Sequence, residues 1–197
     1  MDIRTAINLV EGKQRLLEFS IPDDMIAKAA QMLANDIDGD DVGTRMSILS
    51  DYAQYYEQDE DELADSSTEL NDLPNFKEWF EGWITDRIDD ATYELRGCIN
   101  GDHMPAYRVI TAPKSWNPND RHPGIYWSWD EDAADAHWGD FSDGNVTWRL
   151  EAKLPLTSID WPVTLLMNAS PNYQDEKEVR IFDGSPVRDL TAKIINK

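Results

Sequence analysis

The apolar residues of this chain change their spacing near residue 100, and this change limits the folds that the chain can adopt. In residues 1–100 they recur every three or four positions, which is the spacing of amphipathic helices. In residues 101–197 short runs of β-branched and aromatic residues alternate with polar ones, as strands do. Helices followed by strands favour an α+β fold over a doubly wound sheet. We therefore expect a helical region, 1–100, followed by a mixed β core with short helices, 101–197.

The spacing also predicts where the individual helices and strands lie. The predicted helices cover residues 2–19, 23–35, 48–56 and 76–95, and Gly97 ends the last of them. A further short helix, 130–138, has carboxylates in its first turn, where the helix dipole favours them. The predicted strands cover residues 107–111, 124–129, 146–154, 178–182 and 187–195.

The charge of the chain excludes several classes of partner. There are 39 acidic and 18 basic residues, which gives a net charge of -21. Most of the excess lies in residues 1–100, which carry 24 acidic and 8 basic side chains. Such a charge repels nucleic-acid phosphates and anionic membrane surfaces. We expect no direct contact with nucleic acid or membrane, and we expect a basic protein to be attracted.

The cysteine content and the absence of long apolar runs predict the compartment. Cys98 is the only cysteine, so no intrachain disulfide forms and a reducing cytosol is the natural location. No apolar run approaches the roughly 18 residues of a membrane span, and the N-terminus lacks the apolar stretch of a secretory signal. We expect a soluble, cytoplasmic protein.

One acidic segment, 36–43, invites comparison with a calcium-binding EF-hand loop. Counted from Asp36, the sixth place needs Gly and holds Asp41, and the twelfth needs a bidentate Glu and holds Ser47. The three histidines have no metal-binding spacing either. A polar turn between two helices is the expected structure, and we expect a metal-free protein.

Three short motifs in the second half carry residues suited to chemistry. Tyr107-Arg108 lies on the first predicted strand, and Trp127-Ser128-Trp129 lies on the second. Glu176-Lys177-Glu178 stands at the head of a later one. Alternation along a strand would send Glu176 and Glu178 to one face and Lys177 to the other.

In this order, the three motifs resemble the signature of the arginine-directed mono-ADP-ribosyltransferases. The resemblance begins near residue 104, extends to the C-terminus and does not include residues 1–100. That family usually has Ser-Thr-Ser in its second motif, whereas Trp127-Ser128-Trp129 keeps one hydroxyl between two aromatic rings. The resemblance implies an ADP-ribosyltransferase-like core and an enzyme that uses NAD as substrate. It would transfer ADP-ribose to a protein acceptor, an arginine side chain, and release nicotinamide.

The resemblance also implies a role for each residue of the motifs. Glu178 would be the catalytic carboxylate, and Glu176 would orient and activate the acceptor guanidinium. Arg108 would bind the phosphate or adjoining ribose of NAD, and Ser128 would hold the active-site strands in register. Three aromatic residues complete the candidate site: Tyr126 and Trp129 to stack on the nicotinamide ring, and Tyr173 to contact the acceptor.

Structural roles remain open for the same residues. Arg108 could pair with an acidic neighbour, Glu176 and Glu178 could form a solvated strand edge, and Ser128 could be purely structural. The tryptophans could be core residues, because large aromatic side chains dominate packing area. The alternative function is a non-catalytic acidic binding protein, a DNA mimic or inhibitor that occupies a basic partner. Either activity would suit a phage or mobile-element effector acting on a basic host protein in the host cytoplasm.

Overall fold

An antiparallel sheet organises the second half of the chain. The computed structural model describes residues 20–37, 42–59, 63, 70–118, 123–136, 145–171 and 173–195. The strands are β1 (His103–Pro113), β2 (Tyr126–Ser128), β3 (Asn145–Pro155), β4 (Glu178–Arg180) and β5 (Arg188–Ile194), in the spatial order β4-β2-β1-β3-β5. Every pairing between these strands is antiparallel. This follows because β2 and β3 both run opposite to β1, on either side of it, and β4 and β5 return outside them.

Five helices accompany the sheet in the described part of the chain. They are α1 (Asp23–Ile37), α2 (Val42–Tyr55), α3 (Phe76–Cys98), α4 (Glu131–Ala136) and α5 (Trp161–Ala169). The predicted helices 23–35, 48–56 and 76–95 correspond to the first three, whereas 2–19 lies outside the described residues. The helix α5 was not predicted from the sequence. Its residues are nearly all apolar, and Pro162 lies in its first turn. The α+β class is confirmed, and no helix within these ranges is long and apolar enough to cross a membrane.

One hydrophobic core joins the two regions that the sequence distinguishes. It contains Leu33 of α1 and Leu95 of α3 together with Leu150 of β3, Leu165 of α5 and Val179 of β4. The helix α5 lies against both α1 and α3. The predicted boundary at residue 100 falls in the short link between α3 and β1. The division into 1–100 and 101–197 stays a prediction from composition, and the packing between the two parts is continuous.

The pairing of β1 with β3 determines which side chains face the core. Ala106 lies opposite Ala152, and Arg108 lies opposite Leu150. Both alanines and Leu150 are buried. Cross-strand partners share a face, so Arg108 leaves β1 on the core side of the sheet, and Tyr107 leaves it on the other side.

The pairing of β1 with β2 is much shorter and opens the sheet. The ladder between them consists of one residue pair, Tyr107 with Ser128. Farther along, β2 pairs with β4 over three residues, and Ser128 lies opposite Glu178. Tyr107, Ser128 and Glu178 therefore form a row across three strands on one face. Away from this row β1 and β2 separate, and the gap between them is where the candidate site lies.

Candidate active site

A cleft opens where β1 and β2 separate. Its volume is about 180 Å³, below the roughly 300–1,000 Å³ of sites that enclose a drug-sized ligand. It therefore admits a part of a ligand of ring or sugar size, and the rest of a larger ligand lies outside. The lining residues are Tyr107, Arg108, Val109, Tyr126, Trp127, Ser128, Ala134, Glu176 and Glu178. All four residues predicted to be catalytic line this one cleft, together with Tyr126.

Arg108 fills part of the gap between the two strands. Its Nη1 donates a hydrogen bond to the carbonyl of Tyr126, a residue whose backbone no longer pairs with β1. The guanidinium rests on Gly124, where a Cβ atom would lie 2.5 Å from Nη1 and 2.6 Å from Cζ. Gly124 also has a φ of +104°, which other residues rarely adopt. Trp127 stabilises this turn because its Nε1 donates to the Gly124 carbonyl over 3.1 Å.

The charge of Arg108 is only partly compensated. Burial lowers the pKa of Arg108, and the nearby charge of Glu178 acts in the opposite direction. Among the described residues Arg108 has no ion-pair partner, and its buried Nε has no hydrogen-bond acceptor. The alternative role, in which Arg108 pairs with an acidic neighbour, is therefore not seen as a direct contact among the described residues, although the chain has a net charge of -21. A partly buried cation of this kind is suited to an anionic ligand.

Ser128 connects the turn before β4 to the beginning of α4. The side chain is buried, and its hydroxyl lies 3.1 Å from the carbonyl oxygens of both Glu176 and Lys177. The same hydroxyl accepts the Asp130 N–H over 3.2 Å. A hydroxyl has one proton to donate, so the two carbonyls share it. Through these contacts Ser128 positions the backbone that carries the two glutamates, and its role in a reaction stays a prediction.

The predicted strand alternation across residues 176–178 is wrong. Glu176 ends a 3₁₀ turn, Gln174–Glu176, and β4 begins only at Glu178. Between them Lys177 has a left-handed backbone with φ of 51°, which interrupts an extended strand. The carbonyls held by Ser128 belong to this turn. Both glutamates nevertheless line the cleft, since the turn brings Glu176 to the side of the cleft that Glu178 reaches from the strand.

Lys177 points away from the cleft, as predicted, but the cause is different. Its Nζ pairs with Glu94 of α3 at 3.0 Å and lies 5.2 Å from the ring centroid of Trp129. This places a cation–π contact and an ion pair on the outer side of the turn. The turn is thus tied to α3, and the two glutamates are left on the side of the cleft.

The three aromatic residues predicted for the site lie in different places. Tyr126 lines the cleft and is 42% exposed, so its ring is available to a ligand. Trp129 does not line the cleft, because its Nε1 donates to Asn168 of α5 over 3.1 Å and its ring carries Lys177. Tyr173 is exposed on the approach to the 3₁₀ turn and is not part of the cleft lining.

Several site residues were not singled out from the sequence. Tyr107 lines the cleft beside Ser128. In the sequence, only its position directly before Arg108 indicated that it could belong to the site. Ala134 is buried on α4, whose N-terminus is capped by Asp130 accepting the Ala133 N–H over 2.8 Å. Its small side chain leaves the cleft open. Gly124 was predicted as a strand residue, and its function as the seat of Arg108 depends on a tertiary contact that no local pattern shows.

In the described part of the chain, no group of three or more His, Cys, Asp or Glu side chains has a geometry that could hold a metal ion. Comparison with family models, curated proteins and solved structures finds no match to this chain. The site has therefore to be interpreted from its own residues: one partly buried cation, one carboxylate on the turn and one at the start of β4, and an exposed tyrosine.

Replacing Ser128 tests its positioning role. Ser128→Ala leaves the Asp130 N–H and two carbonyls without their common partner, so we expect the free energy of unfolding to fall by about 1–3 kcal/mol. Urea denaturation followed by tryptophan fluorescence measures this. Thr85→Ala, which removes an exposed hydroxyl bonded within α3, is the control, and it should change stability by no more than about 0.5 kcal/mol. Equal effects of the two substitutions would contradict the role.

Proposed function

We propose that this chain transfers ADP-ribose from NAD to an arginine side chain of a protein and releases nicotinamide. The observation that carries the proposal is the meeting of Arg108, Ser128, Glu176 and Glu178 at one cleft. These residues come from three motifs separated along the chain, and chance occurrences would have no reason to share a site.

Arg108 supports the binding of NAD through its charge. The diphosphate of NAD is anionic, and a protein of net charge -21 repels it at long range. A guanidinium that has no direct carboxylate partner can supply charge-assisted hydrogen bonds that offset this repulsion. The cleft has room for the nicotinamide ring or its ribose, and the rest of NAD lies outside. Tyr126, at the cleft and exposed, is positioned to stack on the nicotinamide ring.

Glu178 supports the bond-breaking step. The bond between the ribose C1′ and the nicotinamide nitrogen breaks, and its electron pair leaves with neutral nicotinamide. Positive charge then develops on the ribose, as it does in glycoside hydrolysis. A carboxylate that accepts a hydrogen bond from a ribose hydroxyl stabilises this charge more strongly than it stabilises the intact substrate. Glu178 lines the cleft near Arg108, so one ligand can contact both residues.

Glu176 supports the second half of the reaction. A guanidinium nitrogen of the acceptor attacks C1′, a new carbon–nitrogen bond forms, and the nitrogen loses a proton. Glu176 lies on the turn beside Glu178, where a carboxylate can orient the incoming guanidinium and accept that proton. The departure from Ser-Thr-Ser is compatible with these roles, because Ser128 keeps its hydroxyl and the Trp129 indole is directed towards Asn168.

Nicotinamide release and arginine modification test the proposal together. The full-length chain is incubated with NAD carrying a labelled adenosine and with an arginine-rich peptide, and the products are separated by mass. We expect nicotinamide and a peptide heavier by one ADP-ribose unit. A chain that releases no nicotinamide and labels neither the peptide nor itself would reject the activity. Nicotinamide release without peptide labelling would reject arginine as the acceptor and keep NAD cleavage.

The alternative, a non-catalytic acidic binder, is favoured by the charge of -21 alone. It predicts salt-sensitive capture of a basic protein by a chain that leaves NAD untouched. Capture by wild type and by Glu178→Gln with equal affinity, together with no nicotinamide release by either, would replace the transferase proposal with this one.

A further inference from the structure

A second concave surface, the α2–α3 groove, lies outside the cleft. Its volume is about 710 Å³, within the range of roughly 300–1,000 Å³ that ligand sites occupy. Tyr55 at the end of α2 and Tyr56 just after it line one side, and α3 contributes Trp79 and Trp83. Three carboxylates, Asp51, Glu78 and Asp86, also line it. The groove therefore combines aromatic walls with negative charge.

The aromatic side chains that line the groove pack against other aromatic rings. The rings of Tyr55 and Tyr56 are 4.9 Å apart, and Trp79 contacts the buried Tyr52 edge-on at 5.1 Å. Tyr55 is nevertheless 69% exposed, so the outer part of its ring meets solvent. Fixed rings with accessible faces attract cations without a large loss of side-chain entropy.

Beside the groove, one guanidinium already lies on a groove tryptophan in this way. Arg87 lies with its Cζ 4.8 Å from the Trp83 ring centroid, and Asp51 accepts the Trp83 Nε1–H over 2.8 Å. Asp51 is also 3.7 Å from the Arg87 Nη1. The other two carboxylates, Glu78 and Asp86, have no ion-pair partner within the described part of the chain. Aromatic surface with uncompensated negative charge is complementary to further cationic side chains.

Gly82 leaves the floor of the groove open. It lies within α3 between Glu78 and Asp86, four residues from each, so all three are on one face of the helix. A Cβ atom at Gly82 would meet nothing within 4 Å. Glycine weakens a helix interior, and no neighbouring atom requires it here. An extended chain lying across this face would pass over the missing side chain.

We propose that the α2–α3 groove binds an arginine- or lysine-rich segment of a partner protein. The cationic side chains lie against Tyr55 and Trp79, the charges are neutralised by Glu78 and Asp86, and the backbone of the segment passes over Gly82. This binding goes beyond the chemistry proposed for the cleft. It requires neither NAD nor Glu178, so its failure and the failure of the transferase proposal are distinguishable.

The test measures binding of a fluorescein-labelled peptide of alternating arginine and glycine to the full-length chain by fluorescence anisotropy, without NAD. Gly82→Leu fills the floor, and we expect at least tenfold weaker binding. Gly82→Ala is the matched control and should keep most of the affinity. Tyr55→Ala should weaken binding roughly two- to fivefold. Tyr93→Ala, at an 81% exposed tyrosine of α3 outside the groove, should have no effect.

A charge-matched pair separates the groove from the general acidity of the chain. Glu78→Gln with Asp86→Asn removes two groove carboxylates, and Glu81→Gln with Asp183→Asn removes two exposed carboxylates elsewhere. We expect several-fold weaker binding only for the first pair. Equal losses for both pairs, no peptide binding by wild type, or full binding by Gly82→Leu would overturn the proposal. So would a Gly82→Leu chain that sediments as a smaller species than wild type, because the occupant would then be a second copy.

Discussion

Glu178→Gln is expected to lower the rate of nicotinamide release at saturating NAD by about a hundredfold to a thousandfold. The substitution keeps the shape of the side chain but removes the negative charge that would stabilise the positive charge developing on the ribose. Losing one preorganised electrostatic contact to a transition state typically costs this much. Steady-state measurement of nicotinamide at several NAD concentrations separates the fall in kcat from any change in KM. We expect KM to change little, since the lost contact acts mainly in the transition state.

The fold should survive this substitution. Backbone pairing holds β4 against β2, and the Glu178 carbonyl accepts a hydrogen bond from the Asn168 side chain over 2.6 Å. Neither contact involves the carboxylate. Glu151→Gln, on β3 and outside the cleft, is the matched control and should retain wild-type rates. A Glu178→Gln chain that releases nicotinamide at the wild-type rate would remove Glu178 from the mechanism.

Glu176→Gln provides the complementary measurement within the same assay. If Glu176 acts on the acceptor, transfer to the arginine peptide falls while hydrolysis of NAD by water continues. If instead both reactions fall equally, Glu176 acts on NAD and the two glutamates share one role. The ratio of peptide labelling to nicotinamide release distinguishes these cases without comparing absolute rates between protein preparations.

The helices and the long strands of this fold could be predicted because their signals are local. The apolar spacing of 23–35 and 76–95 gives α1 and α3, and the alternation in 146–154 gives β3. The four residues Arg108, Ser128, Glu176 and Glu178 were singled out from the sequence by residue type and order, and they line one cleft, while their catalytic roles stay predictions. The helix α5 was not, because a nearly continuous apolar stretch has no period that distinguishes a helix from a strand.

The geometry of the glutamates depended on contacts that local patterns do not contain. Alternation places Glu176 and Glu178 on one strand, but Lys177 is left-handed and its carbonyl lies within hydrogen-bonding distance of the Ser128 hydroxyl, 49 residues away in sequence. Trp129 was predicted to face the ligand, yet its indole nitrogen binds Asn168 of α5, a helix that was not predicted. Because α5 was not predicted, its contact with Trp129 was missed, and the orientation of the Trp129 side chain was predicted wrongly.

The helix α5 connects the two surfaces to which we assign functions. Arg87, which stacks on Trp83 of the α2–α3 groove, donates from its Nε to the Ala169 carbonyl at the end of α5 over 2.8 Å. The preceding residue, Asn168, donates to the Glu178 carbonyl of β4. A partner held in the groove would therefore be held at a fixed position relative to the cleft, which favours modification of one arginine over others on the same partner.

Arg108 and Gly124 should behave as a single unit in NAD binding. Arg108→Met removes the charge and keeps most of the side-chain volume, and loss of charge-assisted contacts of about 1.5–3 kcal/mol would raise the dissociation constant for NAD roughly tenfold or more. Gly124→Ala places a Cβ 2.5 Å from Nη1 of Arg108, so the flexible guanidinium has to move out of its seat. We expect a loss of similar size. Titration calorimetry with NAD measures both.

The double variant, Arg108→Met with Gly124→Ala, is the decisive member of this set. If Gly124 acts only by seating the guanidinium, adding Gly124→Ala to Arg108→Met weakens NAD binding no further, and the two effects are strongly non-additive. Gly184→Ala is the control, because Gly184 also has a positive φ, +74°, but nothing lies within 4 Å of its Cβ position. It should cost about 1–2 kcal/mol of stability through backbone strain and leave NAD binding unchanged. Additive losses in the double variant would mean that Gly124 contacts the ligand itself, and that Arg108 is held in the cleft by other groups.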